Sequence, residues 1–251
     1  MSDFLNILHS NGALLLMGQY PMGPLGGVLC TLLLSFLALI FSFPVGILVG
    51  VARLSPWRWL RNTAACWVYL LRGIPLMMVI FWTYFCVPLL TGHDVSGFMT
   101  MLCTLVVYES AYVAEIVRGG ILALPSGQTE AARALGMGYL RTLLSVILPQ
   151  ALYNSLPSLI SQLVSIVKDT SLGYVINVPE LTYAANQVNN QLLTKPVQVF
   201  AIVALGYYLI NFSLTWLAEA LEKRITTKRQ AAVLIVKHTT HPFPLTNTQS
   251  H

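Results

Sequence analysis

Long apolar runs, separated by short polar clusters, set the pattern of the chain. A membrane span takes about 20 mostly apolar residues. Residues 25–52 form the first run of that length. Pro44 inside it predicts a kink, which a helix tolerates where neighbouring helices cover the freed backbone groups. A second apolar stretch, 63–90, is interrupted by RGIP at 72–75. The residue before a proline resists the helical conformation, so the chain breaks there and the span proper is 75–90, with Pro75 in its first turn. The preceding piece, 56–71, carries Trp57, Trp59, Trp67 and Tyr69 with Arg58 and Arg61, a mixture that settles a helix at the membrane interface. Further spans are predicted at 98–117, 151–167 and 197–218. The expected fold is an all-α integral membrane protein with five transmembrane helices. Residues 1–24 are expected to form an external N-terminal segment. The tail, 225–251, is polar apart from AAVLIV and is expected to be disordered.

Composition agrees with this pattern. The hydrophobic fraction is 56% and the charged fraction 9%, against roughly 25% charged residues in a soluble domain. The first 24 residues contain no Lys or Arg, so the basic region of a cleavable signal is missing and the first run is read as a retained span. Of the basic residues, twelve flank one set of loops (Arg53, Arg58, Arg61, Arg72, Arg118, Arg133, Arg141, Lys223, Arg224, Lys228, Arg229, Lys237). Only Lys168 and Lys195 fall on the other side. Cytoplasmic loops hold the basic excess, which places the N-terminus outside and the C-terminus in the cytoplasm. The net charge of +5 therefore sets orientation. No basic run with interleaved aromatics points to nucleic acid.

Four cysteines without a C-x-x-C pair, and five histidines confined to loops and termini, offer neither a metal site nor a disulfide framework nor a catalytic constellation. There is no G-x-x-x-x-G-K-[ST] loop, so the chain does not bind ATP in that way.

One segment stands apart from the apolar pattern: EAARALGMGYLRTLLSVILPQ, 130–150. SGQTEAARAL, 126–135, is helix-forming. Gly136 suits the left-handed residue that ends a helix. A second short helix can run from Tyr139 until Pro149 leads into the next span. Neither piece is long enough to cross a bilayer. Ala131, Ala132 and Leu135 put small and apolar side chains on one side, which suits a knob docked in a partner's groove. Spacing alone leaves a plain surface helix open as an alternative.

Glu130-Ala131-Ala132, Gly136 and the close Val146-Ile147-Leu148-Pro149 resemble the EAA motif of permease subunits of ATP-binding-cassette importers. Val146 stands where the family usually has isoleucine. LRGIPLMMV (71–79), ESAYVAEIVRGGI (109–121) and VKDTSLGYVINVPELTYAA (167–185) resemble the polar amino-acid branch, of histidine, glutamine and glutamate type. The resemblance runs from about 26 to 224. It implies a permease domain over 25–224 in a bacterial cytoplasmic (inner) membrane, with a coupling loop at 125–149. Glu130, Ala131, Ala132, Leu135 and Gly136 would dock on a separate ATPase, and that chain would hold ATP and Mg. The implied partners are a second permease copy or a related subunit, an extracytoplasmic substrate-binding protein and membrane lipid. The implied cargo is a polar amino acid, with glutamate, aspartate or glutamine slightly favoured, moved by alternating access. A secondary transporter or channel is the alternative class, although such proteins usually show more spans and internal repeats.

The fourth span carries evidence independent of the resemblance. At about 100° per residue, Asn154, Ser155, Ser158, Ser161, Gln162, Ser165 and Asp169 fall within an arc of roughly 120°, and apolar residues cover the rest. Close helix packing through small residues explains the serines equally well. Ionisable groups at membrane depth mark a pathway by default. Asp169 can accept an α-ammonium, and Thr170 and Ser171 can serve a carboxylate. The resemblance also implies a substrate path along this helix and the turn after it, so the expected path is Ser158, Gln162, Ser165, Asp169, Thr170 and Ser171, with Glu109 from the third span, partnered by Lys168 or by substrate. Glu115 and Arg118, three apart, are expected to pair. Leu181, Ala184, Ala185 and Val188 predict a helix packed on the outer end of the bundle, with a gate or a docking surface as its further possible role.

Overall fold

The computed structural model describes residues 2–239, with side chains over 4–227. In chain order the helices are α1 (Ser2–Met17), α2 (Gly27–Ala52), α3 (Arg58–Gly73), α4 (Leu76–Thr91), α5 (Gly97–Leu122), α6 (Ser126–Ala134), α7 (Tyr139–Thr142), α8 (Leu148–Asp169), α9 (Leu181–Leu192) and α10 (Pro196–Thr239). A π-turn at Leu143–Ile147 joins α7 to α8, and a 3₁₀ segment at Thr170–Ile176 follows α8. Four helical stretches are long and apolar enough to cross a membrane: Gly27–Ala52, Gly97–Leu122, Tyr139–Ile176 and Pro196–Thr227. The pair α3 and α4, bent by 100°, passes the same test together as a fifth.

The bend falls where the sequence places it. Ile74 is extended, with φ −103° and ψ 135°. Pro75 follows at φ −60° and ψ 133°, and its carbonyl accepts the first backbone bonds of α4. Missing its N–H and crowding the residue before it, Pro75 ends one helix and starts the next.

Helices in lipid gain nothing from hiding grease, because the solvent is equally apolar, so close packing has to hold them together. The tightest pair is α2 against α5. Gly46 and Gly50 lie on Val113, Ala114 and Val117, and a Cβ at Gly50 would stand 2.7 Å from the Ala114 carbonyl oxygen. Towards the other end of the same pair, Leu34, Ala38, Met101 and Leu105 form a core with Ile80 of α4 and Ile166 of α8.

Three elements depart from expectation. The stretch expected to be an external N-terminal segment contains α1, whose Ile7 and Leu15 are buried against Leu181, Ala184, Ala185 and Val188 of α9 and Val199 and Val203 of α10. The expected helix at 181–192 is thus present, with α1 as part of its packing. Second, the last helix does not stop near 218. It continues through Thr239, because no Gly or Pro interrupts 207–239, so the described part of the expected disordered tail is helical. Residues 240–251 of that tail lie outside the described residues. Third, the helix starting at Tyr139 does not end before Pro149 but merges with the fourth span. Pro149 cannot donate and crowds the carbonyl four residues back, and the wide turn makes room: the Leu148 amide bonds to the Leu143 carbonyl, five residues away.

The entry to α9 is held by Glu180. Its carboxylate accepts from the Thr182 amide at 2.7 Å, the Tyr183 amide at 2.8 Å and the Tyr207 hydroxyl at 2.8 Å. Burial raises the carboxyl to about 7, outweighing the hydrogen bonds that favour its charged form.

Candidate functional site

The polar arc of α8 divides among three surroundings. At one edge Ser155 is buried and donates to the Ala151 carbonyl at 2.8 Å. Gly120 of α5 faces it so closely that a Cβ there would meet the Ser155 hydroxyl oxygen. Ser155 therefore serves close packing. At the opposite edge Asn154, Ser158 and Ser161 line a small cavity of about 190 Å³ with Glu222 and Thr226 of α10. Along the centre, Ser158 is exposed and Ser165 half-buried. Ser161 donates to the Pro157 carbonyl at 3.1 Å.

Gln162 and Asp169 meet α5. Glu109 is fully buried, near the middle of α5. It accepts a hydrogen bond from the Gln162 side-chain amide at 2.6 Å. Asp169 is within electrostatic reach of it. The partner of Glu109 is thus Gln162 rather than Lys168, whose side chain is exposed. The other Glu109 oxygen, Oε1, is buried and has no hydrogen-bond partner among the described residues. Beside it, Tyr108 and Tyr112 approach hydroxyl to hydroxyl at 3.2 Å, and the Tyr108 hydroxyl also donates to the Ile74 carbonyl at 3.4 Å, in the α3–α4 break. Sequence reasoning passed over these tyrosines, although their i,i+4 spacing puts the two rings side by side on α5.

Two expected path residues have other occupations. Thr170 is fully buried and donates to the Val167 carbonyl at 2.7 Å. Ser171 donates to the Lys168 carbonyl at 2.6 Å. In the first turns after a helix, such hydroxyls find backbone carbonyls left without their usual donors. What keeps accessible surface among the expected path residues on this face is Ser158, Gln162, Ser165 and Asp169, with the buried Glu109 behind Gln162.

At the α6 end, helix α6 stands almost wholly exposed, with Glu130, Ala131 and Leu135 on the surface and Leu135 at 84% exposure. Gly136 takes φ +81°, the left-handed conformation expected of it. Ala132 differs: it is buried, in a helix that packs against the 143–147 turn. It anchors the loop and offers no surface to a partner. Nearby, Glu115 pairs with Arg118 at 2.8 Å as expected, and also with Arg53 from the end of α2. The Arg53 guanidinium in turn lies 5.2 Å from the Tyr69 ring centre on α3.

The geometry can be set beside known proteins. Residues 42–227 match the family described as binding-protein-dependent transport system inner membrane component. The chain is 37% identical over 202 residues to the "probable glutamine ABC transporter permease protein" of Bacillus subtilis, covering 80% of this chain and 92% of that one. It is 34% identical over 218 residues to the glutamate transport system permease protein of Corynebacterium glutamicum, covering 85% and 78%. Among solved structures, an amino acid ABC transporter crystallised with histidines shares 27% identity at a TM-score of 0.73, covering 89% of this chain and 96% of that one.

Proposed function

The chain belongs to the family of binding-protein-dependent transport system inner membrane components, and on that premise we propose that it is the permease subunit of an importer that carries a polar amino acid into the cytoplasm of a bacterium. The observation that carries this reading is the exposed helix α6, ending in the left-handed Gly136 with Leu135 at 84% exposure. An apolar side chain held out on a rigid turn is a ready knob for another protein.

In this reading α6 docks in a separate ATPase, which holds ATP and Mg and does the hydrolysis; this chain is not an enzyme. Glu130, Ala131, Leu135 and Gly136 form the docking face, and Ala132 fixes that face to the 143–147 turn. ATP-driven closure of the ATPases moves α6, and the continuous helix from Tyr139 to Ile176 carries the movement across the membrane. Two permease subunits, identical copies or a related pair, rock against each other, and the polar face of α8 opens outward and then inward. A substrate-binding protein delivers the cargo from outside, which requires the N-terminus outside and the α6 end in the cytoplasm, as the basic residues demand.

Ser158, Gln162, Ser165, Asp169 and Glu109 line the path. The unpartnered buried oxygen of Glu109 and the nearby Asp169 suit an α-ammonium, since a buried carboxylate is costly until a cation or a donor satisfies it. Thr170 and Ser171 contribute by shaping the end of α8. The cargo is glutamate, aspartate or glutamine by analogy with the named relatives. The test is a pull-down from detergent-solubilised membranes. A stoichiometric P-loop ATPase, lost on Glu130→Arg or Gly136→Leu with insertion intact, is the expected result. A chain that comes alone and transports without ATP overturns the reading.

A further inference from the structure

Helix α3 carries three distinct faces and a charge excess that the rest of the chain leaves unanswered. At about 100° per residue, its buried residues Ala64, Val68 and Leu71 fall within roughly 60° of arc and form the seam against the bundle. Arg58, Arg61 and Arg72 fall within another arc of about 60°, on one edge of that seam. Trp59, Cys66 and Leu70 occupy a third arc of about 40°, nearly opposite the seam, all of them exposed.

The arginines stand in an unusual charge environment. Between Asp3 and Asp94 the chain has no acidic residue, while four arginines lie within 53–72. Two of the four are engaged inside the protein. Arg53 pairs with Glu115, and the Arg72 guanidinium lies 5.2 Å from the centre of the Tyr112 ring. Arg58 and Arg61 have no ionic, hydrogen-bonding or ring partner among the described residues. They are exposed, and so are their neighbours Trp57 and Trp59, at 64% and 67%. Beside them a shallow surface groove runs past Asn62, Cys66, Tyr69 and Leu70.

We propose that α3 is a binding surface for anionic phospholipid, with the phosphate of the headgroup held by Arg58 and Arg61 and one acyl chain lying along Asn62, Cys66 and Leu70. Charge complementarity selects the occupant. Two unanswered guanidinium groups bind a phosphate bidentately. The flanking indoles lie at the depth where headgroup meets hydrocarbon. The bend of 100° between α3 and α4 suits a helix that lies in that boundary beside one that enters the membrane. Arginines that act only on topology need no shared edge, no tryptophan neighbours and no groove beside them. The proposal is independent of the transported cargo and of the ATPase.

The experiment is native mass spectrometry of the full chain in detergent, offered palmitoyl-oleoyl phosphatidylglycerol and the corresponding phosphatidylcholine at equal concentration. The wild type is expected to retain the anionic lipid preferentially. Because each basic residue at a membrane surface contributes on the order of 1 kcal/mol, the Arg58→Gln/Arg61→Gln variant is expected to lose roughly thirty-fold in that preference at low salt. Arg133→Gln/Arg141→Gln, equally exposed but away from α3, is expected to keep it. Equal retention of both lipids by the wild type, or an undiminished preference in the α3 variant, overturns the proposal. So does displacement of the lipid by excess inorganic phosphate, which marks a site for free anions. Should the α3 variant fail to fold, stronger quenching of wild-type tryptophan fluorescence by brominated phosphatidylglycerol than by brominated phosphatidylcholine supports the proposal, and equal quenching overturns it.

Discussion

The side-chain amide of Gln162 on α8 donates to the carboxylate of Glu109 on α5 at 2.6 Å, and so joins two spans through a group that is fully buried. Its exchange separates architecture from transport. Gln162→Leu removes the donor and leaves the acid unsatisfied, at a cost of about 1–3 kcal/mol, so the melting temperature in detergent is expected to fall. Glu109→Gln keeps shape and hydrogen-bonding capacity but removes the acid that faces Asp169. Stability should hold while amino-acid uptake in proteoliposomes falls at least about ten-fold, the equivalent of one lost charged contact. Full uptake in that variant would remove Glu109 from the path.

Leu135 tests the docking face by itself. At 84% exposure it contributes little to the fold. Leu135→Asp is therefore expected to leave the melting temperature unchanged and to abolish co-purification of the ATPase. Ala132→Asp, by contrast, places a charge against the 143–147 turn and should destabilise the loop itself, read as faster proteolysis between α5 and α8.

Tyr139 ties the loop to the membrane helices, its hydroxyl donating to the Leu54 carbonyl at 3.3 Å just past the end of α2. One such bond is worth about 1 kcal/mol, or roughly five-fold in an equilibrium. Tyr139→Phe is expected to bind the ATPase normally while the ratio of substrate moved to ATP hydrolysed drops by a few-fold. An unchanged ratio would show that the tie is passive.

At the α2–α5 contact, Gly50→Leu has no room to fit. Its Cβ alone would press on the Ala114 carbonyl oxygen, and the backbone cannot yield without parting the helices. Overpacking of this kind costs about 1–3 kcal/mol or more. Loss of a monodisperse elution peak is the expected outcome, whereas Gly73→Leu, in open space, should be tolerated.

Glu180 predicts a pH dependence. Its folded-state value of about 7 lies above the ordinary 4.5, so the folded protein holds this proton more tightly than the unfolded chain. The stabilisation is complete below about 4.5 and is lost as pH rises towards 7, by up to about 3 kcal/mol in all. Melting temperature in detergent should therefore fall between pH 5 and 8. Glu180→Gln, which stays neutral, should flatten that slope.

The spans were legible because a bilayer imposes a minimum length: the expected runs 25–52 and 98–117 fall on the helices Gly27–Ala52 and Gly97–Leu122, the second of which continues five residues further. The break at Pro75 and the left-handed Gly136 were legible because each is a local backbone requirement. Helix α1 was not. Asn6, His9, Ser10 and Asn11 interrupt its hydropathy, and only the packing of Ile7 and Leu15 on α9 and α10 shows where it belongs. The same limit applies to side chains that look across an interface. The 120° arc of α8 was visible as a pattern, but which edge would meet α5 was not. Ser155 therefore went to packing, Gln162 to Glu109, and Lys168 to the surface. Ala132 was read with Ala131, its neighbour in sequence. A helix turns about 100° between adjacent residues, and the 143–147 turn selects one of the two.

Helix α4 has 16 residues, and at 1.5 Å per residue it reaches about 24 Å, short of a hydrocarbon core about 30 Å thick. A short span is accommodated by local thinning of the bilayer or by snorkelling of its flanking residues, and α4 reaches the length of a span only with α3, across the 100° bend. Where α4 meets the hydrocarbon, its shortfall of about 6 Å costs a fraction of a kcal/mol for each ångström. Acyl-chain length thereby becomes a physical variable of the importer: thicker membranes load this face, and thinner ones relax it.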